Sequence, residues 1–199
     1  IAVKPADVEI ACRSATKAGC SRAVSVAAGV PIERLEEWLG PMPVVRAMPN
    51  TPALVGAAAS ALAAGTSATD DDLAWAEGIL AAVGTVVRVP EKLLDAVTGL
   101  SGSGPAYVFL VAEAMIEAGV LVGLPRDVST GLAVQTIVGA GRLLAEGSAT
   151  AEELRAQVTS PGGTTAAGLR ALEDRAVRAA FLEAVAAATR RAGELGSTG

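Results

Sequence analysis

The sequence predicts an α/β half with a parallel sheet followed by an all-α half, and three observations carry that prediction. The 199 residues are 51% apolar with a mean hydropathy of +0.47, enough core for one large or two small domains. Up to about residue 90, short apolar or β-branched runs bounded by Gly and Pro alternate with helical patterns. From Glu91 onward, helical pattern follows helical pattern with no strand between.

The first half reads, in order, as a strand IAVK (1–4) stopped by Pro5, a helix-like segment carrying Cys12 and Cys20, and a strand AVSVAAG (23–29). A helix follows over Pro31–Leu39, with Pro31 in its first turn. Strands MPVVRAMP (42–49) and AAASALAAG (57–65) come next. Thr69 then caps a helix that has Asp70, Asp71 and Asp72 in its first turn and runs to Val83, where Gly84 stops it. The strand TVVRVP (85–90) ends this half. Strands alternating with helices imply a parallel sheet covered on both faces, which binds ligands at the carboxyl ends of its strands. In a doubly wound topology the ligand-facing turns follow Val3, Ala27 and Met48.

In the second half, residues 104–125 form a long helix with Pro105 in its first turn and Gly123-Leu124-Pro125 as its stop. It is apolar nearly all the way round, so it is expected to be buried on every side, in part by something outside its own fold. Further helices read from Asp127 to about Ala145, from a capping box at Thr150 and Glu153, and from about Asp174 to Arg191. A small helical half with so apolar a central helix is expected to complete its core by pairing with another copy.

Composition removes several function classes. A net charge of −5 without a basic cluster, and 3% aromatic residues, argue against a nucleic-acid surface. There is no histidine, so a His-based triad or a His metal site is excluded, and no carboxylate metal motif stands in its place. No uninterrupted apolar run approaches the ~18–20 residues of a membrane span, so a soluble protein without a membrane partner is expected. Cys12 and Cys20 lie about 12 Å apart along a helix, too far for a disulfide, which suits a reducing cytoplasm. The opening Ile1-Ala2-Val3-Lys4-Pro5 reads as the inside of a strand, with a leading segment expected ahead of it and no signal-peptide pattern.

Two glycine-rich stretches hold the candidate chemistry. In TSPGGTTAAGL (159–169) the paired glycines turn backbone amides inward, and Thr164 onward reads as the first turns of a helix. Unpaired amides at the positive end of a helix dipole accept an anion. A phosphate loop would place a lysine after the glycines; Thr164 stands there, which favours a small carboxylate, with a ligand-free helix start as the alternative. In DAVTGLSGSGPAYVF (95–109), Thr98, Ser101 and Ser103 set hydroxyls around Gly99, Gly102 and Gly104, either for a ligand or only to cap backbone.

AVKP, RAMPNTP (46–52), TGLSGSGPAY and SPGGTT, in this order and spacing, resemble pyrroline-5-carboxylate reductase, the enzyme family that makes proline. The resemblance implies an incomplete, truncated Rossmann-like dinucleotide-binding domain over 1–90 and a helical substrate-binding and dimerisation domain over 91–199. It implies reduction of a cyclic imine to L-proline with NADPH or NADH, in a homodimer that assembles further into rings of dimers, up to a decamer. The family's first strand and pyrophosphate loop would precede Ile1. By position, Ala2, Val3, Lys4 and Pro5 match a loop along the cofactor, Val26, Ala27 and Ala28 a second contact, and Gln157 a cofactor-adjacent place that is Asn in some relatives. Plain packing is the alternative for Ala27 and Ala28, and a turn cap is the preferred role for Asn50. Gly163, Thr164 and Thr165 match positions that hold the substrate carboxylate. Thr98 matches the hydroxyl that reaches the imine nitrogen and is the candidate catalytic residue, and Glu91 matches a position at the proline site or else forms a boundary ion pair. Two other readings stay open: a related two-domain hydroxy-acid dehydrogenase, disfavoured because Lys92 at the boundary is the only lysine beyond Lys17, and a non-catalytic oligomeric binding protein.

Overall fold

The computed structural model describes residues 1–197. The chain divides into two compact units, one made of Ile1–Pro105 and the segment from Glu183 on, the other of Ala106–Leu182.

In the first unit a 3-10 turn, Pro5–Asp7, leads into α1 (Val8–Lys17), followed by β1 (Ala23–Ser25), α2 (Ile32–Leu39) and β2 (Val44–Met48). A second 3-10 turn, Thr51–Val55, precedes β3 (Ala58–Ala64), α3 (Asp70–Ala81) and β4 (Gly84–Arg88). A helical run then starts as a 3-10 turn at Glu91–Leu93, becomes α4 (Leu94–Val97), widens into a π-turn at Thr98–Gly102 and continues as α5 (Gly104–Leu121). Periodicity alone marked only the last part of this run. Thr69 caps α3 as expected: its hydroxyl receives the Asp72 amide while the Asp72 carboxylate receives the Thr69 amide and hydroxyl. Those bonds hold the Asp72 carboxyl below its ordinary range.

The sheet runs β1-β2-β3-β4, with β1 parallel to β2 and β3 parallel to β4. The join of β2 to β3 is antiparallel, which corrects the expectation of a uniformly parallel sheet. Only residues 49–57 separate the two strands, with a 3-10 turn between them, too little chain for the crossover a parallel pair needs. The segment 1–4 is not a strand either. Ile1 alone sits in register beside Ser25, its amine donating to the Val24 carbonyl at 2.6 Å and its carbonyl accepting from the Val26 amide at 3.0 Å. Pro5 then opens the turn.

Alternation along β2 sends Val44 to one face and Val45 and Ala47 to the other. Val44 packs with Val8 and Cys12 of α1 and Leu35 and Leu39 of α2, while Val45 and Ala47 pack with Leu62 of β3 and Ala76 and Leu80 of α3. A third cluster joins Ile32, Ala61, Ala63 and Leu94. Burying Leu35, Leu39, Leu62 and Leu94 contributes roughly 1.5–3 kcal/mol each. Cys12 lies inside this core, where burial pushes its thiol up, and Cys20 stands exposed beyond the end of α1; both are free.

The second unit contains the body of α5, then α6 (Arg126–Ala145), α7 (Ala151–Gln157), α8 (Thr164–Asp174) and the start of α9 (Val177–Ser197). The last helix begins three residues later than its apolar spacing suggested, because α8 extends to Asp174. Ser129 and Ala133 of α6 are buried, and the Ser129 hydroxyl donates to the Ile116 carbonyl of α5 at 2.7 Å. No residue of α5 is buried within the chain itself, so the expectation of burial on every side is not met by this chain alone. Two helical stretches, Glu91–Leu121 and Arg126–Ala145, are long and apolar enough to cross a membrane by length and composition, unlike the runs the sequence suggested. Scattered Gly, Glu113 and Glu117 interrupt the runs without lowering the average far enough.

Candidate active site

In the first unit, Thr98 sits at the start of the π-turn, half-buried, and its hydroxyl donates to the Leu94 carbonyl at 2.8 Å. Ser101 does the same to Val97 at 3.1 Å. The backbone caps itself one residue wider than in an α-helix, the Ser103 amide reaching the Thr98 carbonyl at 2.8 Å. Each hydroxyl therefore spends its proton on the helix and keeps its lone pairs as acceptors. Gly99 is required here by close approach: a Cβ would meet the Thr189 hydroxyl and lie 2.8 Å from the Val185 carbonyl of α9.

Asn50 does not cap its own turn as expected. Its Oδ1 accepts from the Ala59 amide at 2.9 Å, and its Nδ2 donates to the Ser101 carbonyl at 3.0 Å, so the side chain staples β3 to the π-turn. Glu91 is likewise engaged by protein groups. Its Oε1 receives the Ile32 amide at 2.7 Å and Arg46 Nη1 at 2.9 Å. Arg46, 8% exposed in the middle of β2, was not singled out by sequence reasoning. Its signal was available: an arginine inside the apolar run VVRAM must find a partner.

Of the cofactor-loop candidates, Pro5 and Ala28 meet across one cleft of about 430 Å³, also lined by Ala6, Gly29, Val30 and Trp38. Ala2, Val3 and Lys4 are exposed outside its lining, and Val26 is half-buried against the α3-side core. Ala27 is 5% exposed within the α1–α2 core, its amide donating to the buried Ser25 hydroxyl at 3.3 Å, which is the packing role.

In the second unit, α8 starts at Thr164 with Gly163 as its cap residue. Gly162 takes φ +72°, a conformation that favours glycine, and so turns the chain into the helix. The Gly163 amide is committed to the Ser160 carbonyl at 3.0 Å. The amides of Thr164, Thr165 and Ala166 meet no oxygen among the described residues, and no side chain caps them. Three outward N–H groups at a dipole's positive end, with two threonine hydroxyls beside them, suit a carboxylate. Gln157 ends α7, exposed, in this same unit. Among the described residues no group of His, Cys, Asp and Glu could hold a metal ion.

The family model described as pyrroline-5-carboxylate reductase dimerisation matches residues 91–195. The pyrroline-5-carboxylate reductase of a Synechocystis species is 50% identical over 173 residues, covering 87% of this chain and 65% of that relative, so the chain spans just under two thirds of its length. Among solved structures, a pyrroline-5-carboxylate reductase from Coxiella burnetii superposes with a TM-score of 0.92 at 40% identity, over 97% of this chain and 73% of that one. The Plasmodium falciparum pyrroline carboxylate reductase, solved with NADP bound, gives 0.87 at 32% identity, over 98% and 79%. A chain that carries the amide cradle at Thr164–Ala166 and the Thr98 turn on this fold, with these likenesses over nearly its whole length, belongs to the pyrroline-5-carboxylate reductase family.

Proposed function

We propose that the chain is the larger part of an NAD(P)H-dependent reductase that converts 1-pyrroline-5-carboxylate to L-proline, the last step of proline biosynthesis. The observation that carries the reading is the uncapped start of α8, three free amides inside the segment matched to the family. In this reading residues 1–90 serve the dinucleotide and 91–199 bind substrate and pair the subunits. NADPH or NADH fits the residues present at its ring end: Pro5, Ala6, Ala28 and Gly29 make a low apolar wall against which a flat ring can lie. Ala2, Val3, Lys4, Val26 and Gln157 remain proposed neighbours of the cofactor.

When bound, the reduced nicotinamide supplies hydride to the imine carbon. The substrate enters as the protonated imine, already an electrophile, so the chain's task is orientation and electrostatics. The amides of Thr164 and Thr165, with the Thr165 hydroxyl, hold the carboxylate. Thr98 Oγ, its proton lodged on Leu94, accepts the N–H of the imine and keeps that proton on nitrogen while the carbon gains hydride. Solvent protonates the resulting amine.

The partner proposed for the exposed apolar helices is a second copy of this chain, with assembly of dimers into a decamer as the further step. Glu113 and Glu117 lie within α5, and a charged residue near a helix centre costs about 3 kcal/mol on membrane insertion, which favours a protein partner over lipid. Two free thiols are in keeping with the cytoplasm. Consumption of NADPH or NADH by the full-length protein with pyrroline-5-carboxylate, followed by identification of proline, tests the reading. Folded protein that leaves both cofactors unoxidised overturns it.

A further inference from the structure

Glu91 stands at a junction between two parts of the proposed site, and no step above makes use of it. One oxygen, Oε1, receives both the Ile32 amide and Arg46. Ile32 is the first residue of α2, so this bond pins the far end of the loop 26–31 that carries Ala28. The near end is pinned already, by the Val26 amide on the Ile1 carbonyl and the Ala27 amide on the Ser25 hydroxyl. In the other direction Glu91 opens the helical run that reaches Thr98 seven residues on, through α4, without a break. The carboxylate thus ties the loop beside the nicotinamide cleft to the helix that presents the Thr98 hydroxyl. The tie is stiff, because charge-assisted bonds are short and directional, an anion is favoured at a helix N-terminus, and Arg46 is almost wholly removed from water.

We infer that Glu91 is a positioning residue for hydride transfer: it touches neither ring, and through the Ile32 amide, with Arg46 holding the carboxylate in place, it sets the loop 26–31 against the Thr98 turn. The inference rests on the reductase reading. Misplacement of reacting groups by about 1 Å costs up to about a hundredfold in rate, so the effect belongs in turnover and not in binding.

The test uses the full-length chain in an Arg46→Met background, so that no arginine charge is left buried alone. Relative to that background, Glu91→Ala is expected to lower kcat by about tenfold while the KM values for imine and cofactor stay within about twofold. The primary deuterium isotope effect from 4-deuterated NADPH should rise, because hydride transfer becomes slower relative to release steps. Glu91→Gln, whose amide oxygen has the same reach, should accept from Ile32 again and bring kcat back to within about threefold. In the otherwise unchanged chain, Glu91→Asp keeps the charge and loses one methylene of reach, and is expected to give the same split by a smaller factor. An Ala variant with unaltered kcat and isotope effect overturns the inference, as does failure of Gln to rescue. So does a raised imine KM at full kcat, which would put Glu91 in direct contact with substrate. If the wild-type chain reduces the imine and the variants match it, only this inference falls; if the wild type does not, the reductase reading falls and takes this with it.

Discussion

Thr98 has one hydroxyl proton, and the Leu94 carbonyl holds it, so at an imine bound as proposed this residue would act as an acceptor and orienter with no proton to give. Its loss removes one charge-assisted hydrogen bond from the iminium N–H and, with it, the orientation of the imine carbon toward the hydride donor, an effect that belongs in turnover. Thr98→Ala is expected to lower kcat by about tenfold with little change in KM, and Thr98→Ser to keep most of the rate. The threonine at the other anchor behaves differently. In the proposed site Thr165 would bind a carboxylate whose charge is the same before and after hydride transfer, so Thr165→Ala should raise the imine KM by about fivefold and leave kcat nearly unchanged. Steady-state kinetics on both variants checks the division of roles, and wild-type constants for both would remove it.

Among the elements, α7 shows how much of a helix is settled within four residues. The Thr150 hydroxyl receives the Glu153 amide at 3.2 Å, and the Glu153 carboxylate receives the Thr150 amide at 2.7 Å. The second bond, with the Thr150 side chain behind it, holds the Glu153 carboxyl below its ordinary value. A group depressed on folding stabilises the fold above its unfolded pKa, about 4.3, and that stabilisation is lost as pH falls through the folded value. Thr150→Ala should cost about 1 kcal/mol at pH 7. The advantage of Glu153 over a Glu153→Gln variant should hold from pH 7 down to about 5 and fade below about 4. Urea unfolding across that range reads both; a difference that grows on acidification would contradict the sign.

At the scale of the whole molecule, the helical unit leaves Phe109 62%, Leu110 65% and Leu132 56% exposed. Large apolar side chains left exposed along both α5 and α6 are the mark of an association surface. Phe109→Glu is expected to shift the protein to monomers and to abolish activity with helical content retained, and dilution of the wild type should do the same reversibly. Sedimentation run alongside the assay checks this, and a fully active monomer would refute the proposed pairing.

Residues close in sequence settled much by themselves. Thr69 with Asp72, Thr150 with Glu153, and Gly162-Gly163 ahead of Thr164 could be read directly, because each partner lies within a turn of the chain and the geometry follows from backbone sterics. The order of strands and helices was largely legible for the same reason, apart from IAVK, which is not a strand, and the helical turns of 91–102. Tertiary structure decided the rest: the antiparallel join of β2 and β3, Asn50 as a staple, Ala27 as core, and the Glu91 carboxylate on an amide 59 residues away. Those outcomes depend on which distant backbone groups are left without partners once the sheet and helices pack, and a buried amide or guanidinium is satisfied by whatever the fold brings near it.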